Sequence, residues 1–445
     1  MHHGKKYFLA AFLLPVFWSA KSQSTLDEKF GRAGLNTITT AVPFLIIAPD
    51  SRAGGMGDAG VATSPDANSI HWNPAKLGFA DKSMGFSLSY VPWLRKLVPD
   101  INLSYLSGYK KIDDMSTVSA SLLYFSLGDI QFTDAFGNNT TQFRPNEFAF
   151  DVSFARKLSK YFSGGITVRY INSNLTGGVL VEGQASRPGQ AVSADISTYY
   201  QNDELNIAGK KSTVAAGLNI SNIGNKMSYT TSSKRDFIPI NMRLGPRLTV
   251  NLDDFNSISL TTDVNKLLVP TRPVYKTDSA GNAVLGSDGN QIIIAGKDPN
   301  RAVASGMFAS FSDAPGVPMR DENNNVVLKS DGKAEIEKGS VLKEEMREFT
   351  YSFGLEYWYD KQFAVRSGYF YEHALKGNRK YLTVGAGLKY NVFALDFAYL
   401  IPAYFGKSAT STNRSPLENT LRFTLIFDFD AFKSQKEEAP APAAN

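Results

Sequence analysis

The chain has 445 residues, no cysteine, and 47 Lys+Arg against 42 Asp+Glu, a formal net charge of +5. Near-balance without a long basic run argues against nucleic acid as a partner. The lack of thiols excludes disulfides, thiolate metal sites and a lipidated N-terminal Cys. The 30 Phe, 20 Tyr and 36 Gly suit a β-rich fold better than a helical bundle.

Residues 1–22 read as a secretory signal peptide. Lys5 and Lys6 supply the positive start, an apolar stretch runs over 7–18, and Ala20-Lys21-Ser22 offers small residues at the positions a signal peptidase reads, which places the cut before Gln23. The stretch is too short to cross ~30 Å of hydrocarbon as a helix. The longest later apolar run, 41–48, is shorter still. Export through the inner membrane then leaves two destinations, the periplasm or the outer membrane as a barrel.

Residues 23–83 alternate poorly. They hold a short apolar run (Phe44-Leu45-Ile46-Ile47), a glycine cluster and Asn/Asp-rich turns. They are too apolar for plain disorder, and a folded segment filling the lumen of a barrel would account for them. From residue 84 to about 430 apolar and polar residues take turns. Val118, Ala120, Leu122 and Tyr124 interleave with Thr117, Ser119 and Ser121; Phe148, Phe150, Val152 and Phe154 with Glu147, Asp151 and Ser153; Leu421, Phe423, Leu425 and Phe427 with Arg422, Thr424 and Asp428. Successive side chains of a strand point to opposite faces, so each segment has one oily and one wet side. A soluble sandwich can alternate as well. Segments of about 9–11 residues, the length a tilted strand needs to cross lipid, favour a membrane barrel. So do aromatics at segment ends, among them Tyr90, Tyr105, Tyr170, Tyr359, Tyr381 and Tyr390, and charges such as Arg169, Arg366, Asp396 and Arg422 on the polar face. The prediction is an all-β, transmembrane antiparallel β-barrel of about 14 strands over residues 84–430, with residues 23–83 as an N-terminal plug in the lumen. Residues 173–211 read as a long polar loop. Residues 270–346 read as a long extracellular insertion, in which 291–295 and 326–328 could form small hairpins. The charged, Ala/Pro-rich tail 431–445 reads as disordered.

Catalytic and metal motifs are weak. Gly55-Met-Gly57-Asp-Ala-Gly60 fits G-x-G-x-x-G, but Pro65 follows and no βαβ unit surrounds it, so closely packed backbone is the better reading. His71 and His373, the only histidines beyond the leader, stand without thiols or an HExxH pattern. No G-x-S-x-G elbow occurs, and the acidic residues of the insertion lack calcium-loop spacing. No catalytic residue, metal or cofactor is expected.

Arg52-Ala-Gly-Gly-Met56-Gly57-Asp-Ala-Gly60, followed by Asp66, Ser69 and Trp72-Asn73-Pro74-Ala75-Lys76-Leu77, resembles the N-terminal signature of the PorV family, the outer-membrane channel or shuttle component of the type IX secretion system, related to FadL-like barrels. The closing strands resemble that family too. The resemblance implies a fourteen-stranded barrel with a plug at about 30–80, in which Arg52, Gly55, Met56, Gly57, Gly60, Asp66, Asn73, Pro74 and Ala75 are structural plug residues. It implies a non-enzymatic role in the outer membrane of a diderm bacterium, with outer-membrane lipid and lipopolysaccharide around the barrel. The protein would bind exported proteins at a giant secretion pore through their C-terminal signal domain, then shuttle them to a sortase-like attachment complex. Two other functions remain open from sequence: a FadL-type transporter of hydrophobic small molecules across the outer membrane, with an apolar pocket between plug and wall, and a lipid-modifying enzyme using His71 or His373 with a serine.

Overall fold

The computed structural model describes residues 36–95, 98, 100–133, 138–178, 180–181, 184–230, 235–278, 282–323, 325–403 and 417–429. The expected signal peptide (1–22), the tail (431–445) and residue 430 lie outside them. Fourteen antiparallel strands close into one barrel: β1 Met84–Pro92, β2 Asn102–Lys111, β3 Ser116–Ser126, β4 Asn146–Lys157, β5 Phe162–Asn174, β6 Gly189–Ile207, β7 Lys210–Gly224, β8 Asn241–Asn251, β9 Asn256–Leu267, β10 Thr350–Tyr359, β11 Phe363–Tyr371, β12 Lys380–Tyr390, β13 Phe393–Pro402 and β14 Leu421–Phe429. Each strand pairs with its sequence neighbours, and β1 closes on β14 from Met84↔Phe429 to Tyr90↔Phe423. No helix among the described residues is long and apolar enough to cross a membrane. Closure removes every unpaired edge, which is what lets strands cross lipid.

Alternation decides which face is which. Leu88, Phe150, Ile166, Leu260, Val365 and Leu382 are exposed on the outside, while their strand neighbours Ser89, Asp151, Thr167, Thr261, Arg366 and Thr383 are buried inside. A single-residue slip would turn every one of these to the wrong side, so the pattern itself sets the register.

The two ends of the barrel differ. At one end, six tight turns join the strand pairs. Asp113 Oδ1 accepts the backbone N–H groups of Met115 and Ser116, both at 2.7 Å, and Asp253 Oδ1 does the same for Phe255 and Asn256 at 2.9 and 2.7 Å. Ala208 (φ 50) and Gly209 (φ 78) form the two-residue turn between β6 and β7, with both positive φ values that a hairpin twisting with its strands requires. Both ends of the barrel sequence, Met84 and Phe429, lie at this turn end. The opposite end carries the longer connections.

The longest, 268–349, has a fold of its own. Asp278, Asn282, Leu285, Ser287, Asp288 and Gly289 recur 43 positions later as Asp321, Asn325, Leu328, Ser330, Asp331 and Gly332. The backbone repeats as well. Asp278 N donates to Asn282 O and Asp321 N to Asn325 O, both at 2.9 Å; Val284 N donates to Lys276 O and Val327 N to Met319 O, again both at 2.9 Å. Two small meanders, the first including residues 291–295 and the second 326–328, pack through Ile294, Ala295 and Ala334. Helix α3 Val303–Ala309 lies between the two meanders in the chain, and α4 Ser340–Arg347 leads from the second into β10. The short helices α1 Ser51–Gly54 and α2 Ser69–Trp72 lie in the N-terminal segment.

Two expectations need correction. Residues 173–211 are not simply a polar loop: β6 occupies 189–207 of that span, and its outward positions include the polar Gln190 and Thr198 and the small Ala194, which hide the alternation that Val192, Ile196 and Tyr200 carry. Tyr105 and Tyr381 do not belong to an interfacial girdle. Parity turns both inward, where they are buried.

Candidate functional site

Residues 36–83 run along the inside of the barrel from the loop end to the turn end, touching strands around the whole ring. Ala41 N donates to Phe237 O at 2.9 Å in the β7–β8 connection, and the Phe44 ring stacks on Phe125 with centroids 6.2 Å apart. Further along, Ser51 N donates to Thr424 Oγ1 (2.9 Å, β14), Gly57 N to Thr383 Oγ1 (2.8 Å, β12), and Gly60 N and Val61 N to Asp263 Oδ2 (2.7 and 2.9 Å, β9). Asn73 Nδ2 donates to Thr198 O (3.0 Å, β6), Ser163 Oγ to Ala75 O (2.6 Å, β5), Thr117 Oγ1 to Leu77 O (2.9 Å, β3) and Lys111 Nζ to Ala80 O (3.2 Å, β2). A mostly irregular buried segment must find partners for its backbone outside itself. The small hydroxyl residues on the inner face of the strands provide them.

The signature residues sit at the tightest points. Gly57 has φ +68, and its own α-carbon leaves no room for a side chain against the Tyr369 backbone. On the facing strand a Cβ on Gly368 would collide with Gly57 N and Met56. Gly55 packs on Gly385, and Gly60 lies under the Trp72 ring. Asn73 Oδ1 accepts Ala75 N at 3.1 Å, capping a 3-10 turn whose first residue is Pro74 with its φ already set.

Arg52 spends all its donors. Nε and Nη2 reach Glu356 Oε2 and Oε1 at 2.9 and 2.8 Å, Nη1 reaches Asp66 Oδ2 at 2.9 Å, and Ser64 takes the rest. Glu356 also accepts Arg366 Nε at 2.8 Å, and Arg366 Nη1 continues to Asp396 Oδ1 at 2.7 Å. Arg422 Nη1 binds Asp58 Oδ1 at 2.7 Å, and Arg169 lies between Asp151 and Asp195. These charges were expected to line a watery lumen. They are instead buried and held by opposite charges, because the N-terminal segment occupies the space the water would take. Within the signature Arg52 meets Asp66 directly; Glu356, Arg366, Asp263 and Thr383, which complete the contacts from the strands, carry no sequence motif.

A second charged cluster fastens the insertion to the rim. Glu348 Oε2 binds Lys266 Nζ at 2.6 Å, and its Oε1 accepts Lys376 Nζ at 3.0 Å and Thr271 Oγ1 at 2.7 Å. Glu344 and Glu345 of α4 add Lys376 at 2.8 Å and Lys266 at 3.4 Å. Nearby, burial raises the Asp313 carboxyl to about 6, aided by Glu345 and Glu348 and opposed by hydrogen bonds from Thr271.

The histidines serve neither cluster. The His71 ring meets Trp72 and Tyr105 edge-on, at 4.9 and 5.9 Å. His373 Nδ1 accepts Leu375 N at 3.2 Å; burial, with Arg347, Lys380, Lys376 and Lys343 around it, lowers its pKa to about 4. The apolar run at 44–47 is divided: Phe44 and Leu45 are packed in an apolar cluster with Leu123 and Phe125, and Ile46 borders a cavity.

A closed ring of fourteen antiparallel strands, greasy outside and polar inside, defines an outer-membrane β-barrel. The chain belongs to the PorV family: the model of type IX secretion system protein PorV matches residues 31–274, more than half of it. It is thus an outer-membrane protein of type IX secretion, working with other components of that system. No curated protein matches. Among solved structures, the Ralstonia pickettii toluene transporter TbuX is 12% identical, with 86% of this chain and 98% of that chain covered and a TM-score of 0.40. A Pseudomonas aeruginosa FadL homologue is 11% identical (86% and 99% covered, TM-score 0.41), and the P. putida toluene transporter TodX is 12% identical (86% and 99%, TM-score 0.42).

Proposed function

We propose that this chain is the cargo-handling member of the type IX apparatus, without chemistry of its own. It receives exported proteins at the secretion pore through their C-terminal signal domain and passes them to a sortase-like attachment complex at the surface. One observation supports this reading: residues 36–83 lie inside the barrel and hydrogen-bond to strands around the ring, while the elaborated surface is all at the loop end. A barrel arranged this way works by contact at its rim rather than by conducting a solute. Outer-membrane barrels keep short turns in the periplasm and long loops outside, so the 268–349 insertion faces the cell exterior, and residues 36–83 act as the plug.

The insertion suits transient contacts. Phe308 on α3 and Leu342 and Met346 on one face of α4 are exposed among polar and charged residues, and partners that must be released need modest, mixed interfaces. The test is affinity purification of the tagged full chain from outer membranes. Co-recovery of a very large barrel protein and of exported proteins still carrying their C-terminal signal domain supports the reading. Recovery of the chain alone, loaded with apolar small molecules, would support the transporter alternative instead.

A further inference from the structure

A cavity of about 310 Å³ lies inside the barrel near the loop end, between the N-terminal segment and the wall formed by β8 to β12. Its charged lining is three cations and three carboxylates: Arg243, Lys376, Arg379, Asp58, Glu348 and Glu372. Five of the six have charged partners. Lys376 is held by Glu344 and Glu348, Arg379 by both oxygens of Glu372 at 2.9 and 2.8 Å, and Asp58 by Arg422 and the Tyr381 hydroxyl.

Arg243 is the exception. It is only 8% exposed. Nε donates to Asn265 Oδ1 at 2.8 Å, and the guanidinium lies 4.5 Å from the centre of the Trp72 ring. Trp72 is in turn fixed by its indole N–H on Asp50 Oδ2 at 2.5 Å. Among the described residues the two terminal nitrogens of Arg243 meet no hydrogen-bond acceptor and no carboxylate forms an ion pair with it. Asp263 and Asp58 lie within electrostatic reach of it without touching it, and a buried cation with no contact partner is costly to keep. This one is pre-organised: one face is stacked, Nε is anchored, and the planar edge that suits a carboxylate is left unspent beside the cavity.

We infer that the cavity is a carboxylate-binding site, with Arg243 gripping the carboxylate and Trp72, Phe370 and Ile46 holding a short apolar body. At ~30 Å³ per water the space equals roughly ten waters, enough for an acid of about ten heavy atoms. The carboxylate could come from a free small acid or from the C-terminus of a peptide; the chemistry is the same. This goes beyond the cargo reading and does not depend on it.

The test uses the full chain in a neutral maltoside detergent, titrated calorimetrically with matched pairs that fit the space: 3-phenylpropanoate against 3-phenylpropanamide, and N-acetylvaline, as a peptide C-terminus, against its amide. Each acid should bind about tenfold or more tightly than its amide if the carboxylate is what Arg243 holds; the pair with the tighter acid names the source. Arg243→Gln should abolish the preference and Arg243→Lys keep part of it. Equal binding of acid and amide, or no binding of either acid up to millimolar concentration, overturns the assignment. Should Arg243→Gln fail to fold, the acid–amide comparison on the unaltered chain decides alone.

Discussion

Arg52 and Glu356 lie 304 positions apart in the chain and meet in a two-pronged pair, Nε to Oε2 at 2.9 Å and Nη2 to Oε1 at 2.8 Å. One belongs to the segment inside the barrel and the other to the barrel wall, so this contact ties the two together. Paired and hydrogen-bonded, the charges tolerate burial. Leaving one alone in the interior costs far more than the pair itself gains.

Glu356→Ala removes the carboxylate that Arg52 and Arg366 share, leaving them only Asp66 and Asp396, and is expected to cost about 3–5 kcal/mol. The barrel strands keep their ladders, so the loss should fall on the inner segment. Heating in detergent followed by electrophoresis should give a lower unfolding midpoint, and single-channel recording should show raised conductance. An unchanged midpoint and a silent channel would mean that the pair does not hold the segment.

Gly368→Ala probes the same packing through sterics alone. Its Cβ would press into the backbone at Met56 and Gly57, and overpacking of this sort costs about 1–3 kcal/mol. Isolated membranes carrying the variant should show residues 36–83 newly open to protease, with the strands still resistant. The neighbouring Ser367→Ala, on the exposed outer face, serves as the control and should behave like the unaltered chain.

Much of the barrel was legible because lipid and interior impose opposite demands on alternate residues. Strands such as β3, β4 and β14 show this directly in Val118, Phe150 and Phe423. The reading failed where the outward residues are polar or small, as Gln190 and Ala194 are in β6, since such residues carry little hydropathy contrast. Tyr105 and Tyr381 were misplaced because a tyrosine suits a membrane interface and a buried site alike: inside, the Tyr381 hydroxyl donates to Asp58 and the Tyr105 ring packs on His71. Arg52 and Asp66 stood out through the family signature, but their partner Glu356 could not: long-range pairing leaves no local pattern. The duplication in the insertion was detectable in principle, through the recurrence of Asp278, Leu285 and Asp288 as Asp321, Leu328 and Asp331.

Asp313 gives the rim a dependence on pH. Its folded pKa, raised to about 6 by burial, lies above the usual 3.8, so between these values the folded state holds more protons than the unfolded one. Stability of the insertion should accordingly fall as pH rises through that window and level off above it. Asp313→Asn removes the ionisable group and should flatten this part of the profile. The check is the protease sensitivity of residues 268–349 at pH 4.5 and pH 7.5 in both proteins; identical profiles would show that Asp313 is not the titrating group.

The most direct trial of the cargo-handling role is to delete the chain and follow one exported protein by cell fractionation. The account predicts that this protein accumulates in the periplasm with its C-terminal signal domain uncleaved, and that the unaltered chain restores its surface attachment. Normal cleavage and surface attachment in the deletion strain would contradict it.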